Sequence, residues 1–177
     1  MELIRSLEDA IRPRGLLSVT VLGPDGEVVD RREGTNVVCT TGYSAFAAAL
    51  VWSGLQDQAA NLGLTTSTFL TPLYGAVGSG AATPVKSDTQ LVSELGRVTV
   101  SGGGATPASA SVGALTSWLF YFPNPASNWT VTEAGLFANA TSTANSGSML
   151  NHWAFSPSVS VPTTNTLILE VSFQFGP

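Results

Sequence analysis

The sequence predicts a mainly β protein, an antiparallel β-sandwich or barrel of jelly-roll-like type, with a short N-terminal helix and one further helix. Three observations carry this expectation. Short segments in which apolar and polar residues alternate recur from residue 16 to the end. Gly- and Pro-containing breaks such as GPDG, PNPAS and SGGG separate them. The last segment, TLILEVSFQF, puts Leu167, Leu169, Val171, Phe173 and Phe175 on one face and Ile168, Glu170, Ser172 and Gln174 on the other, the period-two pattern of a half-buried strand.

Taken in order, the chain opens with Leu3, Ile4, Leu7, Ala10 and Ile11 at helical spacing, opposite Glu2, Arg5, Glu8, Asp9 and Arg12. Pro13 and Gly15 end that helix. About three turns of helix are marginal alone, so residues 1–15 read as an amphipathic arm, and Leu3, Ile4, Leu7 and Ile11 as its contact stripe. Residues 16–177 read as a single β-rich domain, since 177 residues suit one well-cored unit. LLSVTVL and EVVDRRE form a hairpin around Pro24-Asp25-Gly26. NVVCTTG then leads into an alanine-rich helix over 43–55, with Thr41 as N-cap and Gly54 near its end. From residue 68 onward the expectation is strand and loop: FLTPLYGAVGSG, a polar connection through SDTQLVSELGR, then GRVTVS, SVGALTSWLFYF and NWTVTEAGLFANA. SGGGATPASA at 101–110 reads as a flexible loop, and SGSMLNHWAFSPSVSVP as a strand followed by irregular chain.

Charge is scarce and unevenly placed. Only 11% of residues are charged, and 12 of the 19 charged side chains fall in residues 1–33. With one lysine, no basic run and a net charge of −5, nucleic acid and anionic membrane are poor partners. No apolar run reaches the length of a membrane span, and the charged N-terminus lacks the apolar core of a signal peptide. Cys39 is the single cysteine, which excludes an internal disulfide and a cysteine-based metal site and suits a small buried hydrophobe. A chain this poor in charge either presents a hydroxyl-rich exterior to water or hides surface against other chains.

The stock of catalytic groups is thin. His152 is the only histidine and reads as structural, and no metal or cofactor site follows from the spacing of its neighbours. GAVGSGAATP lacks the G-K-[ST] ending of a phosphate loop and reads as a turn. A glycosidase pair would have to come from Asp57, Asp88, Glu94, Glu133 and Glu170, whose spacing favours no pair. Trp118, Tyr121, Trp129, Trp153 and Phe155 could form a sugar platform, although aromatics at strand periodicity usually fill a core. Glu133, in WTVTEAGLFANA, stands alone in a long uncharged stretch. It is expected to fix a strand junction, either by accepting backbone N–H bonds from a neighbouring loop or by pairing with Arg97, with Gly135 permitting a bulge or close backbone approach.

VTVLGPDGEVVD, NVVCTTG, GAVGSGAATP leading to SDTQLVSELGR, then TEAGLF, MLNHWAFSP and TLILEVSFQF follow one another across residues 16–175. This ordered set resembles a widespread group of tailed-bacteriophage structural proteins. The resemblance implies a small virion component, placed with tail, fibre or baseplate proteins or on the capsid exterior, and it brings no catalytic residues. The expectation is therefore a non-enzymatic virion protein that forms a symmetric homo-oligomer, a trimer, and binds other virion proteins. A capsid decoration protein and a module binding host surface glycan are the alternatives, and a hydrolase is disfavoured by the missing catalytic constellation.

Overall fold

The computed structural model describes residues 13–46, 73–109 and 113–175. The expected arm helix, with Leu3, Ile4, Leu7 and Ile11, lies outside the described residues, as does Asp57. Among the described residues, nine strands form one antiparallel sheet: β1 (Arg14–Leu22), β2 (Val28–Val38), β3 (Tyr74–Gly78), β4 (Glu94–Thr99), β5 (Gly102–Ser109), β6 (Gly113–Pro123), β7 (Trp129–Ala138), β8 (Ser148–Val161) and β9 (Thr166–Phe175). Their spatial order is β4-β3-β7-β8-β2-β1-β9-β6-β5.

β2 is where this sheet turns. Up to Asn36 it pairs with β1, whereas Val37 and Val38 pair with His152 and Asn151 of β8. The sheet curls about that switch into a half-barrel with two walls, β2-β1-β9-β6-β5 and β4-β3-β7-β8. The core lies between them. Leu17, Val19 and Val21 of β1, Phe120 and Phe122 of β6, and Leu167 to Phe173 at alternate positions of β9 meet Val77, Val131, Leu136, Leu150 and Val159 from the other wall. The walls touch closely. A Cβ at Gly75 of β3 would lie 2.4 Å from the Phe120 ring, and Phe122 packs edge-on against Trp129 with centroids 6.1 Å apart.

The first hairpin follows from its turn residues. Gly26 N–H donates to Gly23 O, Gly23 N–H donates to Glu27 O, and Gly26 has φ +81°. That is a three-residue loop whose last position needs the left-handed region, which glycine enters without penalty. β1 begins at Arg14, paired with Gln174 of β9, so the ordered sheet starts before the boundary expected at residue 15.

Three local expectations are corrected. The second helix is seen at 40–46, and Thr41 is inside it: Tyr43 N–H already donates to Cys39 O, and the Thr41 hydroxyl donates to Met149 O. The remainder of the expected 43–55 helix lies outside the described residues. The glycine-rich 101–110 segment is not a loop but edge strand β5, paired with β6. Glycine suits it because a Cβ at Gly103 would lie 2.9 Å from Ser117 O, so pairing overrides low strand propensity. β8 continues to Val161 with Val159 and Val161 buried. Pro157 falls where pairing with β7 skips from Val159 to Ala154, so its missing N–H breaks no ladder bond.

Candidate functional site

The outer faces of the two walls differ, and the difference starts from Glu133. This residue lies on the outer face of β7 and is 0% exposed. Its Oε1 accepts the N–H groups of Gly80 at 2.9 Å and Ser93 at 2.8 Å. Its Oε2 accepts Val92 N–H at 3.1 Å and lies 3.1 Å from His152 Nε2. On the far side of the ring, Nδ1 is 2.6 Å from Asp88 Oδ2, which also accepts Val85 N–H at 2.8 Å. Both ring nitrogens thus face carboxylate oxygens, and His152 bridges Asp88 and Glu133. Four donors saturate the Glu133 carboxylate. Such a group holds its surroundings in place; it has no free lone pair to offer a substrate.

These bonds fasten the segment 79–93, which joins β3 to β4, across β7 and β8. Two glycines make the space. A Cβ at Gly78 would lie 2.5 Å from Glu133 Oε1, and one at Gly80 would lie 2.4 Å from the same atom. The GSG of GAVGSGAATP supplies one of the three backbone N–H groups on the carboxylate, that of Gly80, while Ser79 N–H donates to Ser93 O; Val92 and Ser93 supply the other two. Thr132 adds a bond from its hydroxyl to Gly80 O at 2.6 Å. Beneath the segment, Leu91 packs with Cys39, Ala76, Phe137, Ala140 and Met149 as a second, smaller core. Gly135 lies at this junction: a Cβ there would come 2.9 Å from Asn151 O and 3.3 Å from Met149 Cε.

Arg97 does not reach Glu133. It forms a two-pronged pair with Glu94, Nε to Oε1 at 2.6 Å and Nη2 to Oε2 at 2.8 Å, with both side chains 3% exposed. Nη1 donates to Thr141 O and Ser146 O, and Asn145 N–H donates to Glu94 Oε2. The guanidinium also lies 4.8 Å from the Phe137 ring centroid. Glu94 outcompetes Glu133 for Arg97 because a neighbour three residues away on the same strand presents both oxygens at no loop-closure cost. This second lock fastens the 139–147 connection between β7 and β8.

The outer face of β1, β9 and β6 carries a different surface. Outward positions run in register across it: Thr20, Ile168 and Tyr121 in one row, Ser18, Glu170 and Leu119 in the next. Leu119 is 42% exposed and Tyr121 48%. These three strands carry two charged residues, Arg14 at the end of β1 and Glu170 midway along β9.

Of the residues singled out from sequence, the fold brings Asp88, Glu133 and His152 together and keeps Glu94 and Arg97 as a separate pair. Glu170 stands apart on the other wall. Trp118, Trp129 and Trp153 are part-buried against the core and so do not form one platform. Trp153 stacks on Phe155 with centroids 4.1 Å apart. The meeting of Asp88 with His152 was not expected. The glycines at 78 and 80 are a trace of Glu133 alone, whose carboxylate fills the room they leave. No protein-family model, curated protein or solved structure matches this chain.

Proposed function

We propose that this chain is a non-enzymatic structural protein of a tailed-bacteriophage virion. It forms a symmetric homo-oligomer, expected as a trimer, and binds other virion proteins on the particle exterior, at the tail, fibre or baseplate. The observation that supports the self-associating part is the contrast between the walls. One wall has its outer face closed by two fastened connections, and on the other β1, β9 and β6 present a face poor in charge with Leu119 and Tyr121 exposed, bordered by the Arg31–Glu33 pair on β2. Without β2, whose outward Arg31 and Glu33 are exposed, the four strands β1, β9, β6 and β5, spaced about 4.8 Å and roughly 30 Å long, give a face of about 580 Å², against the ~800 Å² per partner of a standard stable interface. Depletion of charge is the compositional mark of an interface core. The phage assignment rests on the ordered motifs that span residues 16–175.

Light scattering after size exclusion tests the first part. A stable multiple of 18.3 kDa is expected, and Leu119→Glu combined with Tyr121→Glu should return it to a monomer that melts as before. A wild-type monomer at all concentrations would refute self-association. Retention of the oligomer in the double variant would place the contact on another face.

A further inference from the structure

The described residues contain five Lys or Arg side chains, and three have carboxylate partners: Arg31 with Glu33, Arg32 with Asp30, and Arg97 with Glu94. The other two, Arg14 and Lys86, form no ion pair among the described residues, and both line the same cleft. This cleft has a volume of about 510 Å³ and is walled by the start of β1, the end of β2 from Thr35 to Val38, and Tyr43 of the helical turn. Two exposed cationic residues lining one concavity are unusual in a chain of net charge −5, and the volume is that of a small-ligand site.

The cleft is also preorganised. Lys86 O accepts both the N–H and the hydroxyl of Thr40, at 2.8 and 3.1 Å. On its other side, the turn from Val85 to Asp88 is closed by Asp88 N–H donating to Val85 O and by the Asp88 carboxylate accepting Val85 N–H. Asp88 is itself fixed by His152. The lock on the closed wall therefore fixes the backbone that carries Lys86. The ammonium lies 5.7 Å from the Tyr43 ring centroid, a cation–π distance that aims it along the cleft wall.

We propose that this cleft binds a carboxylated sugar. Arg14 and Lys86 take the carboxylate, and the Thr35 hydroxyl borders the hydroxyl groups. Tyr43, Pro13 and Val37 supply an apolar flank for the ring. An acidic peptide is the competing occupant, and the test separates the two. The proposal does not depend on the virion reading.

The test is calorimetric titration of the full-length protein with a galacturonic acid trisaccharide. A neutral glucose trisaccharide, inorganic phosphate and a short polyglutamate peptide serve as comparisons, with amide chemical shifts recorded for Val37, Tyr43 and Lys86. Saturable binding of the acidic sugar alone is expected, with shifts confined to the cleft. Arg14→Ala and Lys86→Ala each should weaken it at least about tenfold, the effect of losing one charge-assisted bond. Both side chains are exposed and outside the two locks, so unchanged melting verifies that the variants are folded. Three results would overturn the assignment: no saturable binding at millimolar sugar, binding unaffected in the Arg14/Lys86 double variant, or phosphate or polyglutamate binding as tightly as the sugar.

Discussion

Glu133→Gln is the most informative single perturbation, because it keeps the shape of the side chain and removes only charge and one acceptor. The carboxylate takes four donors, two on each oxygen. An amide offers one oxygen and one NH₂. With the NH₂ toward Gly80 and Ser93, two buried N–H groups face another donor. With the NH₂ toward Val92 and His152, the ring must present the Nε2 lone pair to accept from it, and Val92 N–H still loses its acceptor. An unpaired buried donor costs about 1–3 kcal/mol, and the remaining bonds fall from charge-assisted to neutral strength. The second arrangement is the cheaper, so the net loss is about 2–4 kcal/mol, a large share of the ~5–15 kcal/mol of a domain. At roughly 2–4 °C per kcal/mol for this chain length, Tm falls by about 5–15 °C. Urea unfolding followed by tryptophan fluorescence measures the loss. Amide exchange at Gly80, Val92 and Ser93 shows whether the 79–93 segment is released first. A loss below about 1 kcal/mol, or unchanged exchange at those three amides, would refute the reading of Glu133 as the fastening of that segment.

Two further outcomes follow from the packing. Gly75→Ala sets a Cβ 2.4 Å from the Phe120 ring between the two walls, and overpacking of that kind should cost about 1–3 kcal/mol in the same urea assay. The Cys39 thiol is pushed up to about 12, first by burial and then by the negative charge of Asp88. A disulfide reagent at pH 8 should therefore leave it unmodified until the protein is unfolded. Because its folded value is raised from 9.0, its contribution is fully present below pH 9 and is lost between there and about 12. Wild type should lose stability up to about 1.4 kcal/mol per pH unit faster than Cys39→Ala in that window.

The parts of the fold legible in the sequence are those encoded within a few residues. Alternation in TLILEVSFQF and the Pro-Asp-Gly turn each specify local backbone, and β9 and the first hairpin follow from them. β5 was hidden because three successive glycines carry no strand signal; β6 recruits them by close backbone approach, a long-range cause. The tail of β8 was obscured by Pro157, which reads as a breaker until a bulge opposite β7 makes its missing N–H harmless. The site divides in the same way. An uncharged setting around Glu133 announces that the carboxylate needs partners, since a buried charge without them is too costly. Which partners they are depends on Asp88 and His152, 64 residues apart, meeting through β3, β7 and β8. Arg97 was a plausible partner by chemistry and was lost to Glu94 by proximity.

The two locks also change what the scarcity of charge means. Six charged residues occur between positions 73 and 175: Lys86, Asp88, Glu94, Arg97, Glu133 and Glu170. Four of them are spent holding two connections on one wall, where Glu94, Arg97, Glu133 and His152 are almost wholly enclosed. Only Lys86 and Glu170 remain to face outward, and Lys86 lines the cleft. On the other wall the face of β9 and β6 therefore keeps Glu170 alone, and the charges of the neighbouring β2 are paired, Arg31 with Glu33 and Arg32 with Asp30, so little like-charge repulsion opposes the approach of a second copy there. Its hydroxyls already satisfy one another in places, as Ser117 and Ser172 do at 2.8 Å, which lowers what must be desolvated when two such faces meet. Closure of one wall and the association proposed for the other then rest on one feature: the few charges this stretch possesses are committed to the interior of the first.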